Sequence, residues 1–214
     1  MKLLRLPQYW KPLVIVCLLL ILRETGGKTI VFVYAVYFFR SAGVIIDPFF
    51  CTLLVGIVRL ISIIICSLVV DKLGRKSLIT FCAILCSLFL LLAGVVSIIG
   101  PKSDLMRLLP LVAMLSYTFF NSLGVKSVPA ILMGELLPLP VKSLSTSICC
   151  IVFAIAFFVN SNIFPVLMET IGLGTSLLMC SVSNVVLAVV VNALVPETKG
   201  KSLTELENLF LKPK

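Results

Sequence analysis

The chain has 214 residues, of which 60% are hydrophobic and only 13% carry a charge. Soluble globular domains carry a charge on about a quarter of their residues, so this composition excludes that class and indicates an integral membrane protein. The net charge is +9, but the sequence has no basic stretch interleaved with aromatic residues, so we expect no nucleic-acid partner. The surplus of lysine and arginine is instead typical of loops on the cytoplasmic side of a membrane.

The chemistry-bearing residue types are few. The chain has eight cysteines and no histidine, and the cysteines fall almost entirely within apolar runs, where cysteine behaves as a small hydrophobic residue. No cysteine pair stands in a metal-ligand context, and no nucleophile is accompanied by a base. We therefore expect no metal, no cofactor and no catalytic residues.

Six apolar stretches are long enough to cross a membrane, since a hydrocarbon core about 30 Å thick requires about 20 residues per helix. We predict an all-α membrane protein with six transmembrane helices, at residues 12–39, 49–70, 78–99, 108–137, 144–168 and 175–195. Residues 1–11 are predicted to be a cytoplasmic lead-in to a transmembrane bundle at 12–196. In the cytoplasmic tail, 197–214, a capping box at residues 202–205 predicts a short amphipathic helix.

A charged turn at residues 70–76 joins the second and third predicted spans. It is so short that the two helices must be antiparallel neighbours, and we expect Gly74 to supply a positive φ that other residues resist. Three cations within five residues place the turn on the cytoplasmic side. An even number of spans puts both termini on that side, and we predict a multi-pass protein of the plasma membrane.

The first predicted span is interrupted near its middle by charged residues and glycines at residues 23–28. Charge at that depth is costly unless it is paired or faces the bundle interior. Glu24 and Lys28 are four residues apart in the order that favours an ion pair, and the glycines between them predict a kink. Arg59 lies midway along the second span, and we predict that it contacts Glu24. Two interpretations of this segment remain: a structural cluster of charges that neutralise one another, or a site that binds a solute.

The fourth predicted span contains several helix breakers, which predict a bent or hinged helix. They are Gly124, Pro129, Gly134 and Pro138. Glu135 follows near the cytoplasmic end of this span, and Lys142 begins the next one. We expect the Glu135 carboxylate to reach Arg75 or Lys76 across the mouth of the bundle.

Two motifs resemble those of a known family. Asp71-x-x-Gly74-Arg75-Lys76 resembles the D-x-x-G-R-[RK] loop signature of the major facilitator superfamily, and residues 196–200 resemble the P-E-T-K-G motif that closes the last helix of its sugar porters. Residues 132–136 look most like the insect facilitated trehalose transporters of that family. The resemblance covers nearly the whole chain and implies the C-terminal half bundle, helices seven to twelve, of a twelve-helix transporter.

The resemblance also implies a cytoplasmic ion network that holds the inward gate closed. Its members, carried over by motif, are Asp71, Gly74, Arg75, Lys76, Glu135, Lys142 and Glu197. The alternative is a set of solvated surface pairs, each worth less than about 1 kcal/mol.

The activity that the resemblance implies is transport of a sugar or related small polar solute by alternating access. Several sugar-contacting positions of the family are nevertheless replaced: Arg23 and Glu24 stand for two glutamines, Ala130 for a tryptophan, and Phe153 with Ala154 for an Asn-Trp pair. We predict a midplane solute site led by Glu24, Thr29, Arg59 and Asn121.

Three further interpretations remain open from the sequence. The chain could be a diverged carrier for an anionic solute, since several cations lie within its spans. It could be a half-length or truncated protein that needs a missing N-terminal half or a homodimer, because the site of such transporters lies between two halves. It could also be a sensor or scaffold that keeps the fold without transport.

Overall fold

The computed structural model describes residues 6–29, 33–100 and 103–200. The predicted tail helix and its capping box lie outside these residues. Five helical stretches of the described chain are long and apolar enough to cross a membrane: Pro48–Leu73, Arg75–Ile99, Met106–Leu136, Leu139–Ile171 and Leu173–Leu194. The predicted all-α membrane fold is confirmed, whereas the first of the six predicted spans is built from shorter pieces.

That first span consists of α1 (Pro7–Arg23), a first π-helical turn (Glu24–Lys28) and α2 (Ala35–Ser41). The helix α1 begins at a proline whose fixed φ suits the first helical position, so it extends into the predicted lead-in. Its 17 residues span about 26 Å, slightly less than the hydrocarbon core. Gly27 has a φ of 93°, which only glycine adopts readily, and the predicted kink is confirmed.

The second and third spans form a hairpin of α3 (Pro48–Leu73) and α4 (Arg75–Ile99). Asp47 caps α3, because its side chain accepts hydrogen bonds from the amides of Phe49 and Phe50 at 2.8 and 3.2 Å. The chain reverses at Gly74, where φ is 86° as the sequence predicts.

The fourth span is divided into α5 (Asp104–Phe120), a second π-helical turn (Asn121–Val125) and α6 (Ser127–Leu136). The break falls before Pro129, at the turn that contains Gly124. A Cβ atom on Gly124 would lie 2.6 Å from the Cys82 sulfur, so the small residue lets this turn approach α4 closely. The structure thus interrupts the α-helical pattern of the fourth span with one π-helical turn, at the place where this span approaches α4 closely.

The last two spans are α7 (Lys142–Ile171), which follows a short 3-10 turn, and α8 (Leu173–Leu194). The most extensive packing in the bundle joins α4 to α8, while α1 packs on α7 and α3 on α5. Outward-facing leucines and isoleucines on α3 leave an apolar surface suited to lipid or to another bundle.

The contact between α4 and α8 depends on small residues. A Cβ on Gly174 would lie 2.5 Å from Cγ1 of Ile98 and 2.8 Å from the carbonyl oxygen of Gly94. About two turns along both helices, the hydroxyls of Ser87 and Ser181 are 2.9 Å apart, and Ser181 also donates to the Ser87 carbonyl at 2.8 Å. Close backbone approach and interhelical hydrogen bonds are what hold helices together in lipid, where apolar burial gives little advantage.

We predict that Gly174→Ala destabilises the protein by about 1–3 kcal/mol, because the added methyl overlaps the α4 backbone. The melting temperature of the purified protein in detergent measures the effect. Gly134→Ala is the matched control, since a Cβ there meets nothing within 4 Å, and its melting temperature should stay at or above that of the parent. Equal melting temperatures for both variants would contradict the close contact.

Candidate functional site

A buried charged cluster lies in the middle of the bundle. Glu24 is 1% exposed, and the Lys28 ammonium donates to its two carboxylate oxygens at 2.8 and 3.1 Å. The Arg23 guanidinium adds a contact of 3.2 Å. The predicted Glu24–Lys28 pair is confirmed, and it offsets a desolvation cost of about 2.5–3.5 kcal/mol for each charge at the centre of a bilayer.

Aromatic rings from α7 cover the cations of this cluster. The guanidinium carbon of Arg23 and the ammonium of Lys28 lie 5.0 and 4.9 Å from the centroid of the Phe153 ring. The Lys28 ammonium is also 5.5 Å from the Phe157 centroid. These are cation–π distances, so the rings replace part of the hydration that the two cations lose. Phe153 is thus a partner of the charges at positions 23 and 28.

The predicted contact between Glu24 and Arg59 is not among the ion pairs of the described residues. Both Glu24 oxygens are taken by Arg23 and Lys28, which belong to the same or the adjoining turn. Arg59 lies on the neighbouring helix α3 and is half-exposed. It points to a cavity instead of to the carboxylate.

A cavity of about 210 Å³ lies between the two π-helical turns and α3. Of the predicted solute-site residues, Arg59 and Asn121 line this cavity, whereas Glu24 and Thr29 do not. Thr29 is 2% exposed, and its hydroxyl has no hydrogen-bond partner among the described residues. The cavity is lined by Lys28, Thr52, Val55, Gly56, Arg59, Tyr117, Thr118, Asn121, Ser122 and Lys126.

Two neighbouring helices hold the kinked turn at Gly26. The Tyr117 hydroxyl of α5 donates to the Gly26 carbonyl at 2.8 Å, and the Asn184 amide of α8 donates to the same oxygen at 2.9 Å. Asn121 in turn donates to the Tyr117 hydroxyl at 2.8 Å. The carbonyl beside the kink is therefore satisfied by side chains, as a buried backbone group requires. Tyr117 was missed by the sequence analysis, although its spacing of four residues from Asn121 puts both on one helix face.

At one end of the bundle, away from this cavity, several of the predicted gate residues lie around Arg75. Its guanidinium lies 2.9 Å from Glu135 and 2.8 Å from Asp71. Its backbone amide donates to the Glu197 carboxylate at 3.0 Å. The structure thus joins α3, α4, α6 and the segment after α8 at one end of the bundle.

Glu197 acts as a cap for the N-terminus of α4. The same oxygen that accepts from Arg75 also accepts from the backbone amides of Thr198 and Lys199, at 3.1 and 3.3 Å. A carboxylate at this position is favoured by the positive end of the helix dipole. A Cβ on Gly74 would lie 2.9 Å from the second Glu197 oxygen, so the glycine also makes room for the carboxylate.

The lysines at this end bind backbone carbonyls at helix C-termini. Lys76 donates to the Asn192 carbonyl at the end of α8, at 2.8 Å. Lys142 donates to the Gly134 carbonyl near the end of α6, also at 2.8 Å, and Lys199 donates to the carbonyl of residue 72 in the last turn of α3. Lys76 and Lys142 thus lie at the same end of the bundle as Arg75, but they cap helix C-termini. Within the described residues, Arg75 is the cation that pairs with Asp71 and Glu135.

Interrupted helices beside a cavity that polar side chains enter, in an all-helical membrane bundle, are typical of a secondary transporter domain. A family model described as "Sugar (and other) transporter" matches residues 1–210. The chain belongs to this sugar transporter family.

Individual relatives agree with the family match. The chain is 32% identical over 205 residues to the facilitated trehalose transporter Tret1 of Aedes aegypti, covering 94% of this chain and 25% of that protein. It is 27% identical over 231 residues to the human facilitated glucose transporter member 6 of solute carrier family 2, covering 96% and 46%. The inward-open xylose transporter XylE of E. coli superposes with a TM-score of 0.80 at 26% identity, covering 93% and 42%. The chain thus spans between a quarter and a half of these relatives.

We predict that Arg75 is coupled more strongly to Glu135 than to Asp71. The Glu135 side chain is 27% exposed and the Asp71 side chain 73%, so solvent screens the second pair more. Double-mutant cycles with Arg75→Gln and either Glu135→Gln or Asp71→Asn, read from the free energy of unfolding, should give above about 1 kcal/mol for Glu135 and less for Asp71. The reverse order would show that the Glu135 contact is only a surface pair.

Proposed function

We propose that the chain supplies half of a membrane carrier for a sugar or a related small polar solute, working by alternating access. The observation that carries the proposal is the cavity between the two π-helical turns, where polar side chains are set in a largely apolar lining. Its amide and hydroxyl side chains suit sugar hydroxyl groups, which need both donors and acceptors. Relatives named as trehalose and glucose transporters support the same solute class.

The cavity supports a site that is completed by a second bundle. Its volume of about 210 Å³ is below the roughly 300–1,000 Å³ of typical small-molecule sites. In secondary transporters the solute lies at the interface of two repeats. The remaining wall would come from an N-terminal half bundle or from a second copy of this chain.

The contacts around Arg75 support a role as the inward gate. Opening at this end has to move α6 away from the turn between α3 and α4, which separates Glu135 from Arg75. The second π-helical turn, just before α6, is a break at which α6 can tilt while α5 stays in place. We assign this end and both termini to the cytoplasmic side of the plasma membrane, because lysine and arginine concentrate here.

We predict that Asn121→Ala lowers sugar uptake by roughly tenfold, the cost of losing one or two hydrogen bonds in the cavity. The initial rates of labelled glucose and trehalose entry measure it, in cells that express equal amounts of the full-length protein with both bundles present. Asn162→Ala is the matched control, since the bond that this exposed amide makes within the described residues is to a carbonyl of its own helix, and uptake should stay within about twofold. Background-level uptake of both sugars by the parent protein, or equal losses in both variants, would contradict the proposal.

A second test concerns the source of the other bundle. An immunoblot of native membranes with an antibody against residues 205–214 gives the length of the chain that carries this tail. A band near twice the 23.3 kDa of this chain would place both halves in one polypeptide. A band near 23.3 kDa predicts a complex with a second copy or with a separate N-terminal half, which a bifunctional crosslinker captures. A band of that size without any crosslinked complex would contradict a two-bundle site.

A further inference from the structure

The charges that line the cavity all have one sign. Lys28, Arg59 and Lys126 are among its ten lining residues, and none of those ten is acidic. Resting on the transport function above, we propose that the cavity selects a sugar that carries an acidic group, a carboxylate or a phosphate, over the corresponding neutral sugar.

Among the described residues, the cations around this cavity outnumber the carboxylates. The cavity lining, together with Arg23 and Glu24 behind its wall, has four cations and one carboxylate, a net charge of +3. Both oxygens of Glu24 already accept from Arg23 or Lys28. An anionic ligand therefore enters a site of positive potential, and the attraction is stronger there than in water because the surroundings are apolar.

The cations come from separate elements and converge on one volume. Lys28 lies on the first π-helical turn, Arg59 on α3, and Lys126 directly after the second π-helical turn. Cations that meet at one cavity from three separate elements are typical of a binding site, whereas the charges of a solvent-exposed helix face lie along a single element. The planar guanidinium of Arg59 also has the fork geometry that binds a carboxylate or phosphate through two hydrogen bonds.

The depth of the cavity excludes a lipid headgroup as the source of the anion. Arg59 is eleven residues from Pro48 and fourteen from Leu73, the two ends of α3. At 1.5 Å per residue these separations are about 17 and 21 Å, so Arg59 lies close to the middle of the membrane. Headgroup phosphates lie at the surface, and the anion at this depth has to be a solute.

The uncharged lining favours a sugar derivative over a bare inorganic anion. Thr118, Asn121 and Ser122 place hydroxyl and amide groups along the same cavity as the three cations. The Thr118 hydroxyl and the Asn121 amide already donate to Met114 and Tyr117, and their oxygens can still accept. The ring hydroxyls of a sugar acid can donate to these oxygens, whereas a small ion such as chloride cannot.

The test compares glucose with glucuronate and glucose 6-phosphate, which share the ring and differ by the acidic group. Thermal-shift titrations of the purified full-length protein give an apparent Kd for each, and sodium acetate at equal ionic strength controls for a general anion effect. We expect glucuronate or glucose 6-phosphate to bind roughly tenfold more tightly than glucose, as a charge-assisted hydrogen bond implies. Whichever of the two binds more tightly identifies a carboxylate or a phosphate as the recognised group.

Variants then locate the effect. Arg59→Gln and Lys126→Met should each reduce the ratio of the glucose Kd to the acidic-sugar Kd towards one. Arg40→Gln removes an exposed cation outside the cavity and should leave that ratio unchanged.

The outcomes separate the two proposals. If glucose binds as tightly as both acidic sugars, or if acetate stabilises the protein equally, the acidic-sugar inference is wrong while sugar transport stands. If no sugar stabilises the protein and none is taken up, both are wrong. An equal change of the ratio in Arg40→Gln would also overturn the assignment to this cavity.

Discussion

The burial of one carboxylate between two cations in the middle of the membrane is the constraint on which this structure depends. Glu24 would be expensive to bury alone, and so would Arg23 or Lys28. Local geometry brings the three together, because the π-helical turn places Lys28 within 2.8 Å of the carboxylate. The rings of Phe153 and Phe157 then shield the cations from lipid, and the neighbouring helices close around the kink through hydrogen bonds to the Gly26 carbonyl.

The helices of the bundle include an uninterrupted, closely packed pair and two spans that are interrupted by π-helical turns. On one side α4 and α8 pack closely through Gly94 and Gly174, with paired serines between them, and neither helix is interrupted. On the other side, the first and fourth spans are each broken by a π-helical turn, and both breaks face the cavity. The unbroken pair lies outside the cavity lining, where Asn184 of α8 holds the Gly26 carbonyl. The interrupted helices give the cavity a wall whose parts can move separately.

The sequence predicted local features well and contacts between distant helices less well. The glycines at 26 and 27 predicted the kink, the spacing of Glu24 and Lys28 predicted their pair, and the charged turn predicted the neighbourhood of Arg75 and Glu135. The predicted contact between Arg59 and Glu24 was wrong, because the depth of a residue along a helix does not say which way the helix is rotated about its axis. The rings over Arg23 and the cavity role of Tyr117 depend on packing between residues about 90–130 positions apart, which periodicity does not encode.

Lysines from elsewhere in the chain cap helix ends through backbone carbonyls, and this affects whether the contacts can be detected in the sequences of relatives. Lys76, Lys142 and Lys199 bind carbonyl oxygens, and Glu197 accepts from backbone amides. Every residue has a carbonyl, so the residue that supplies it is free to vary without loss of the bond. These contacts would therefore leave no paired substitutions in the sequences of relatives, and inference of contacts from covariation would miss much of what holds this end of the bundle together.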